Sequence, residues 1–108
     1  MSLWAEYQSE LLGAETIETD DGFVTFFDQP DAIYISELYV RRDRRSARIT
    51  NGFRDQIEAI ARERGKLRLI SSVKISTNTC SKSLMFNLAH GFVPFLAESG
   101  IIWLKKEI

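Results

Sequence analysis

AIYISELYVRRDRRSARIT, residues 32–50, switches from a period of two to a period of 3.6 within a few residues. In residues 32–40 the odd positions Ile33, Ile35, Glu37 and Tyr39 are expected to share one face of a strand. Tyr34, Ser36, Leu38 and Val40 then share the other. Both faces are largely apolar, so this strand is expected at the centre of a sheet with cover on both sides. Downstream, Ile49, Phe53, Ile57 and Ile60 recur at spacings of 4, 4 and 3. That is one stripe of an amphipathic helix running to about Arg64, with Gly65 placed for a left-handed cap.

Working outward, LWAEYQSELL (residues 3–12) spaces Leu3, Trp4, Tyr7 and Leu11 as a helix that stops at Gly13. ETIET and FVTFFD read as two strands joined by DDG, whose Asp-Gly tolerates the positive φ of a tight turn. KLRLISSVKI (66–75) is a further strand, followed by the polar loop STNT (76–79). A helix around residues 80–90 follows, with Leu84, Met85, Leu88 and Ala89 as its apolar stripe. FVPFLAES and GIIWLKKEI are the last two strands. Helix, three strands, helix, strand, helix and two strands imply an α+β (α/β sandwich) architecture. A central mixed, mostly antiparallel sheet carries helices on both faces.

The 108 residues allow one domain, 1–108, with 44% hydrophobic and 27% charged side chains and no linker or repeat. No stretch reaches the roughly 20 apolar residues of a membrane span, and MSLWAEYQSE lacks a signal peptide's regions. The expectation is therefore no membrane and a cytoplasmic location. One Cys and one His exclude a disulfide scaffold and argue against a protein-held metal. Cys80 and His90 would lie about 15 Å apart along one helix, too far to share a proton. Phe26, Phe27, Phe92, Phe95 and Trp103 read as core rather than as a ligand box.

The net charge of −1 hides a division. Residues 1–40 hold nine acids and no Lys or Arg; residues 41–108 hold the other six acids and all fourteen bases. Arg41, Arg42, Arg44, Arg45 and Arg48 lie within eight residues, where a strand feeds a helix start. Unpaired N–H groups at such a start bind phosphate, and arginines strengthen the site. Two other readings stand beside a phosphate or pyrophosphate ligand. One is a nucleic-acid backbone, disfavoured because the cluster has no aromatics for stacking. The other is a solvated loop paired with the acidic N-terminal part.

From Ala32 to Phe92 the residues resemble the GNAT N-acetyltransferase superfamily, in particular its very short bacteriophage-encoded members. The resemblance rests on ISELYV, Arg45 opening the helix, EAIARERG, a strand with SSV, and a serine-containing helix ending in HGF. It implies acetyl-coenzyme A (acetyl-CoA) as cosubstrate, with the pantetheine arm against Leu38, Tyr39 and Val40. The pyrophosphate turn would be Arg45, Ser46, Ala47, Arg48, Ile49 and Thr50. Arg48 and Thr50 stand where the family's turn has Gly and Gly/Ala, and a positive φ at Arg48 would cost about 1–2 kcal/mol.

The resemblance further implies Glu37 as general base. Asn87 stands where many relatives carry the tyrosine acid, leaving Tyr39 or Tyr34 to substitute. Ser81, Ser83 and Asn87 would touch the cofactor. The expected activity is acetyl transfer to a primary amine, a host protein's among the candidates, in the host cytoplasm if the chain is phage-encoded. A homodimer is among the assemblies this reading allows. The alternative is a catalytically impaired protein of the same fold that binds and modulates a host macromolecule.

Overall fold

A computed structural model describes residues 2–77 and 80–108. Asn78 and Thr79 of the expected loop, and the side chain of Leu11 in the first expected stripe, lie outside the described residues. The elements are α1 (Leu3–Leu12), β1 (Glu15–Glu18), β2 (Gly22–Asp28), β3 (Ala32–Val40), α2 (Ala47–Glu63), β4 (Arg68–Lys74), α3 (Cys80–Ala89), β5 (Val93–Glu98) and β6 (Ile101–Glu107). A single 3-10 turn, Arg42–Arg44, lies between β3 and α2. The strands form one six-stranded sheet in the order β1-β2-β3-β4-β6-β5. Every neighbouring pair is antiparallel except the central one, β3 with β4.

α2 forms as its stripe dictates: Phe53, Ile57 and Ala61 are buried, and Ile49 and Ile60 pack beside them. Ser46 caps its start, accepting the Ile49 N–H on its hydroxyl at 3.2 Å. Gly65, at φ +71°, ends it, and the Lys66 N–H returns to the Ala61 carbonyl at 2.9 Å. This helix covers Val24, Phe26, Ile33, Ile35, Leu69 and Val73. α3 lies on the same side of the sheet, where Asn87 reaches Ser71. α1 runs beside β1, tied by the hydrogen bond from the Ser2 hydroxyl to Glu18.

The alternation expected along β3 fails at its middle. Thr25 pairs with Glu37 but Phe26 pairs with Ile35, so Ser36 is an extra residue, a β-bulge. Because side chains alternate with period two, one extra residue exchanges the faces beyond it. Ile33, Ile35, Leu38 and Val40 therefore join the core under α2, while Tyr34, Glu37 and Tyr39 share the opposite face. On that face Tyr39 meets Phe23, and Tyr34 packs between Phe27 and Trp103.

Other expectations also change. Leu3, Trp4 and Tyr7 are exposed and Ala5 is buried, because α1 approaches the sheet through its smallest residue. Met85, Leu88 and Ala89 are exposed, because the polar contacts of Asn87 turn the Cys80–Leu84–Asn87 row of α3 inward. Phe95 is exposed on the edge strand β5 rather than core. Gly22 does not adopt positive φ; its lack of a Cβ admits the Tyr39 carbonyl instead. No helix among the described residues is long and apolar enough to cross a membrane.

The acidic N-terminal part meets the basic remainder at the far end of α2. Arg64 bonds Glu15 at 2.6 Å and Asp28 at 2.7 Å, and Lys66 also pairs with Asp28. The hydrogen bond from Arg64 holds the Glu15 carboxyl below its ordinary range, and those from Lys66 and Arg64 do the same for Asp28. Carboxyls lowered on folding contribute stability above their unfolded values, and it is lost as pH falls through the folded ones. Arg64→Met is therefore expected to lower the thermal midpoint by a few degrees at pH 7. The difference from the native chain should shrink once the pH is below the ordinary values of 4.5 and 3.8. Paired melts at pH 7 and pH 3 measure this.

Candidate functional site

The central parallel pair is short. β3 and β4 are paired only from Ala32–Arg68 to Ile35–Ser71. Beyond that point Ser36–Val40 and Ser72–Lys74 separate, and the sheet opens as a fork whose floor is at Ile35 and Ser71. The bulge at Ser36 begins where the pairing stops. One edge of β3 is thereby left with backbone groups that no neighbouring strand uses. A cleft of about 600 Å³ occupies the fork. Ser71, Asn87 and Arg54 line it from the side of α2 and α3, and Glu37, Tyr39 and Ser72 from the opposite face of the sheet. The opening therefore passes through the sheet instead of lying on one surface.

The mouth of the cleft is the start of α2. Ser46, which caps this helix, is in extended conformation (φ −155°, ψ 156°). The cap consumes the Ile49 amide, and the Ser46 carbonyl takes the Thr50 amide at 3.2 Å and the Thr50 hydroxyl at 3.1 Å. Among the described residues the amides of Ala47 and Arg48 have no acceptor. Of the expected cradle's six amides, then, those of Ile49 and Thr50 are closed, and those of Ala47 and Arg48 stay open at the helix start. Ser99 is the one non-glycine among the described residues at positive φ, so Arg48 is an ordinary residue of the helix's first turn. The strain expected there is absent.

The arginine cluster is not the partner of the acidic part. Arg41 meets Asp43 at 3.4 Å, and among the described residues Arg42, Arg44, Arg45 and Arg48 have no carboxylate partner. Arg45 donates from Nε to the Val40 carbonyl at 3.0 Å and lies over the Tyr39 ring, fastening the end of β3 to the helix start. Positive charge with open amides at a helix start suits a phosphate-bearing ligand.

Of the residues singled out from sequence, Glu37, Leu38, Tyr39 and Val40 line the cleft from β3. Arg45, Ser46 and Thr50 line its mouth, and Ser83 and Asn87 its α3 wall. Ala47, Arg48, Ile49 and Ser81 are outside the lining; Arg48 is exposed, and Lys82 enters the wall where Ser81 does not. Glu37 is exposed and has no basic partner among the described residues. The Tyr34 hydroxyl is engaged with the Ser72 hydroxyl at 2.9 Å, whereas Tyr39 is 46% exposed. No group of three His, Cys, Asp or Glu side chains that could hold a metal occurs among the described residues.

Arg54 escaped the sequence reading. It follows Phe53 in the stripe and sits on the helical row Thr50, Arg54, Ile57 and Ala61, whose last two members are fully buried. That row was the available signal. Its Nη1 donates to the side-chain Oδ1 of Asn87 at 3.3 Å, and the same oxygen accepts the Ser71 hydroxyl at 2.7 Å. Burial pushes the guanidinium down to about 10.

No protein-family model and no curated protein matches this sequence. Solved structures do match in fold. The PaiA N-acetyltransferase of Thermoplasma acidophilum, in complex with coenzyme A, superposes with a TM-score of 0.78 at 16% identity, over 98% of this chain and 69% of that one. A GNAT family acetyltransferase from Elizabethkingia anophelis with acetyl-CoA bound gives 0.73 at 15% identity, over 98% and 87%. A GNAT family acetyltransferase from Listeria monocytogenes gives 0.74 at 16%, over 95% and 69%. This chain is similar to each of them in fold.

Proposed function

From a sheet and helices arranged as in GNAT acetyltransferases, we propose that the chain is an acetyl-CoA-dependent N-acyltransferase acting on a primary amine. The observation that carries the proposal is the fork between β3 and β4, with Arg45 lining its mouth and open amides beside it. Bound acetyl-CoA would supply the activated acyl group as a thioester. The residues fit such a molecule: the Ala47 and Arg48 amides and the arginine cluster suit its phosphates. The edge of β3 beyond Ile35, apart from the Val40 carbonyl that Arg45 holds, offers hydrogen bonds to an amide-bearing arm.

Glu37, exposed and unpaired on the opposite face, takes the proton from the acceptor's ammonium so that the nitrogen can attack. The acceptor reaches it from the face away from α2 and α3. Nine acids in residues 1–40 favour a cationic acceptor, a lysine side chain or N-terminus of a protein, met in the cytoplasm.

Calorimetry with coenzyme A, followed by acyl transfer to a panel of amines, tests the reading. Glu37→Gln is expected to leave coenzyme affinity unchanged and slow transfer about 10²–10⁴-fold. Absence of coenzyme binding at millimolar concentration refutes the proposal, and a full rate in Glu37→Gln removes the base. Binding without turnover favours a non-catalytic binding protein.

A further inference from the structure

Arg54 is a half-buried cation without a counter-ion, its Nε closed off from solvent. No carboxylate among the described residues approaches it within 4.0 Å, and its buried Nε has no hydrogen-bond partner. Its guanidinium carbon lies 5.3 Å from the centre of the Phe86 ring and 5.5 Å from that of Phe92. Two rings and one amide oxygen offset only part of what burying a charge costs. A packed apolar side chain would suit the position better, unless an anion arrives there.

The groups around it narrow the choice of anion. Ser71, Ser72 and Asn87 at the floor are neutral, and the Asn87 amide nitrogen already donates to the Ser83 carbonyl at 2.7 Å. Lys82 and Arg45 line the same cleft, while Glu37 and Tyr39 stand on the far face of β3. Glu58, one turn further along α2, is held by Lys106 and Arg62. Arg54 is thus the charge at the floor. It lies seven residues into α2 from Ala47, about 10 Å deeper along the axis than the open amides. An arm anchored by phosphates at the helix start runs inward along α2 towards this guanidinium.

Resting on the acyltransferase reading, we propose that Arg54 receives the thiol sulfur of the bound coenzyme in its anionic form. As the amine nitrogen bonds to the acyl carbon, the carbon–sulfur bond breaks and its electron pair passes to sulfur. Glu37, having released the ammonium's proton to solvent, takes the one that the nitrogen sheds as the amide forms, and Arg54 holds the negative charge until solvent reprotonates the thiol. The guanidinium and its flanking rings suit a large, polarisable anion. This role needs no proton donor from Asn87.

The test is the ionisation of the coenzyme's own thiol in the complex, followed by the ¹³C shift of its labelled thiol-bearing carbon as pH rises. In the native chain the thiol is expected to titrate about one unit or more below free coenzyme A. In Arg54→Met it should titrate at or above the free value, with Arg54→Lys between them. S-methyl coenzyme A, which cannot ionise, should bind the native chain and Arg54→Met alike. Equal thiol titration in native and Arg54→Met complexes overturns the assignment while leaving the acyltransferase reading intact. Malonyl-coenzyme A binding tenfold tighter than acetyl-coenzyme A to the native chain alone would assign Arg54 to a carboxylate instead. Failure of the native chain to bind any coenzyme removes the parent reading and this one together.

Discussion

Gly22→Ala is expected to lower the thermal midpoint by roughly 15 °C, an effect on the order of 3 kcal/mol. A Cβ at this position would lie 1.9 Å from the Tyr39 carbonyl oxygen and 2.8 Å from the Val40 Cα. Both are backbone, so no side-chain rotation relieves the overlap and β2 must move away from β3. Typical domains have only about 5–15 kcal/mol in all. The displacement also falls on Val40, the partner of Gly22 in the sheet and the end of the fork's free arm. Coenzyme affinity should therefore fall with stability. Gly52→Ala is the matched control: it lies inside α2 with nothing within 4 Å of a new Cβ. It should gain about 0.5–1 kcal/mol from helix propensity alone. Thermal melts of the two variants distinguish close approach from a general aversion to alanine.

Ala47→Pro is expected to weaken coenzyme binding about 10–100-fold without harming the fold. Ala47 is the first residue of α2, where proline's fixed φ suits a helix and no internal hydrogen bond is lost. Ser46 before it is already extended, the conformation a following proline demands. Only a free N–H is deleted, and a hydrogen bond to a charged group contributes about 1.5–3 kcal/mol. Ala47→Val adds similar bulk and retains the N–H, so it should bind within a few-fold of the native chain. Isothermal titration with coenzyme A measures both. Native affinity in Ala47→Pro would place the phosphates elsewhere.

Period carried most of the fold in the sequence. The α2 stripe through Phe53 and Ile57, and the alternating apolar runs of β2, β3 and β6, define their elements through contacts close in the chain. The bulge did not show, because an extra residue in a strand is fixed by the partner's register and Ser36 has no special chemistry of its own. The inward face of α3 was misjudged for a related reason. Asn87 is a poor core residue until Ser71 and Arg54, 16 and 33 positions away, satisfy its oxygen. In the site, the mouth was legible because Arg45, Ser46 and Thr50 are adjacent in the chain. Arg54 was not, because its environment is assembled from α2, α3 and Phe92, the residue before β5.

The extra residue at Ser36 also governs how such a protein can diverge. Positions 37 and 39 look one way and 38 and 40 the other, so the face carrying the carboxylate is kept apart from the face packed beneath α2. Straightening the strand at Ser36 without changing its length would do the reverse: it would swing a carboxylate and a phenol into the hydrocarbon beneath α2 and evict Leu38 and Val40 from it, whereas removing one residue there would leave both faces in place. The extra residue, rather than the identity of the serine that supplies it, is what keeps Glu37 out of the core.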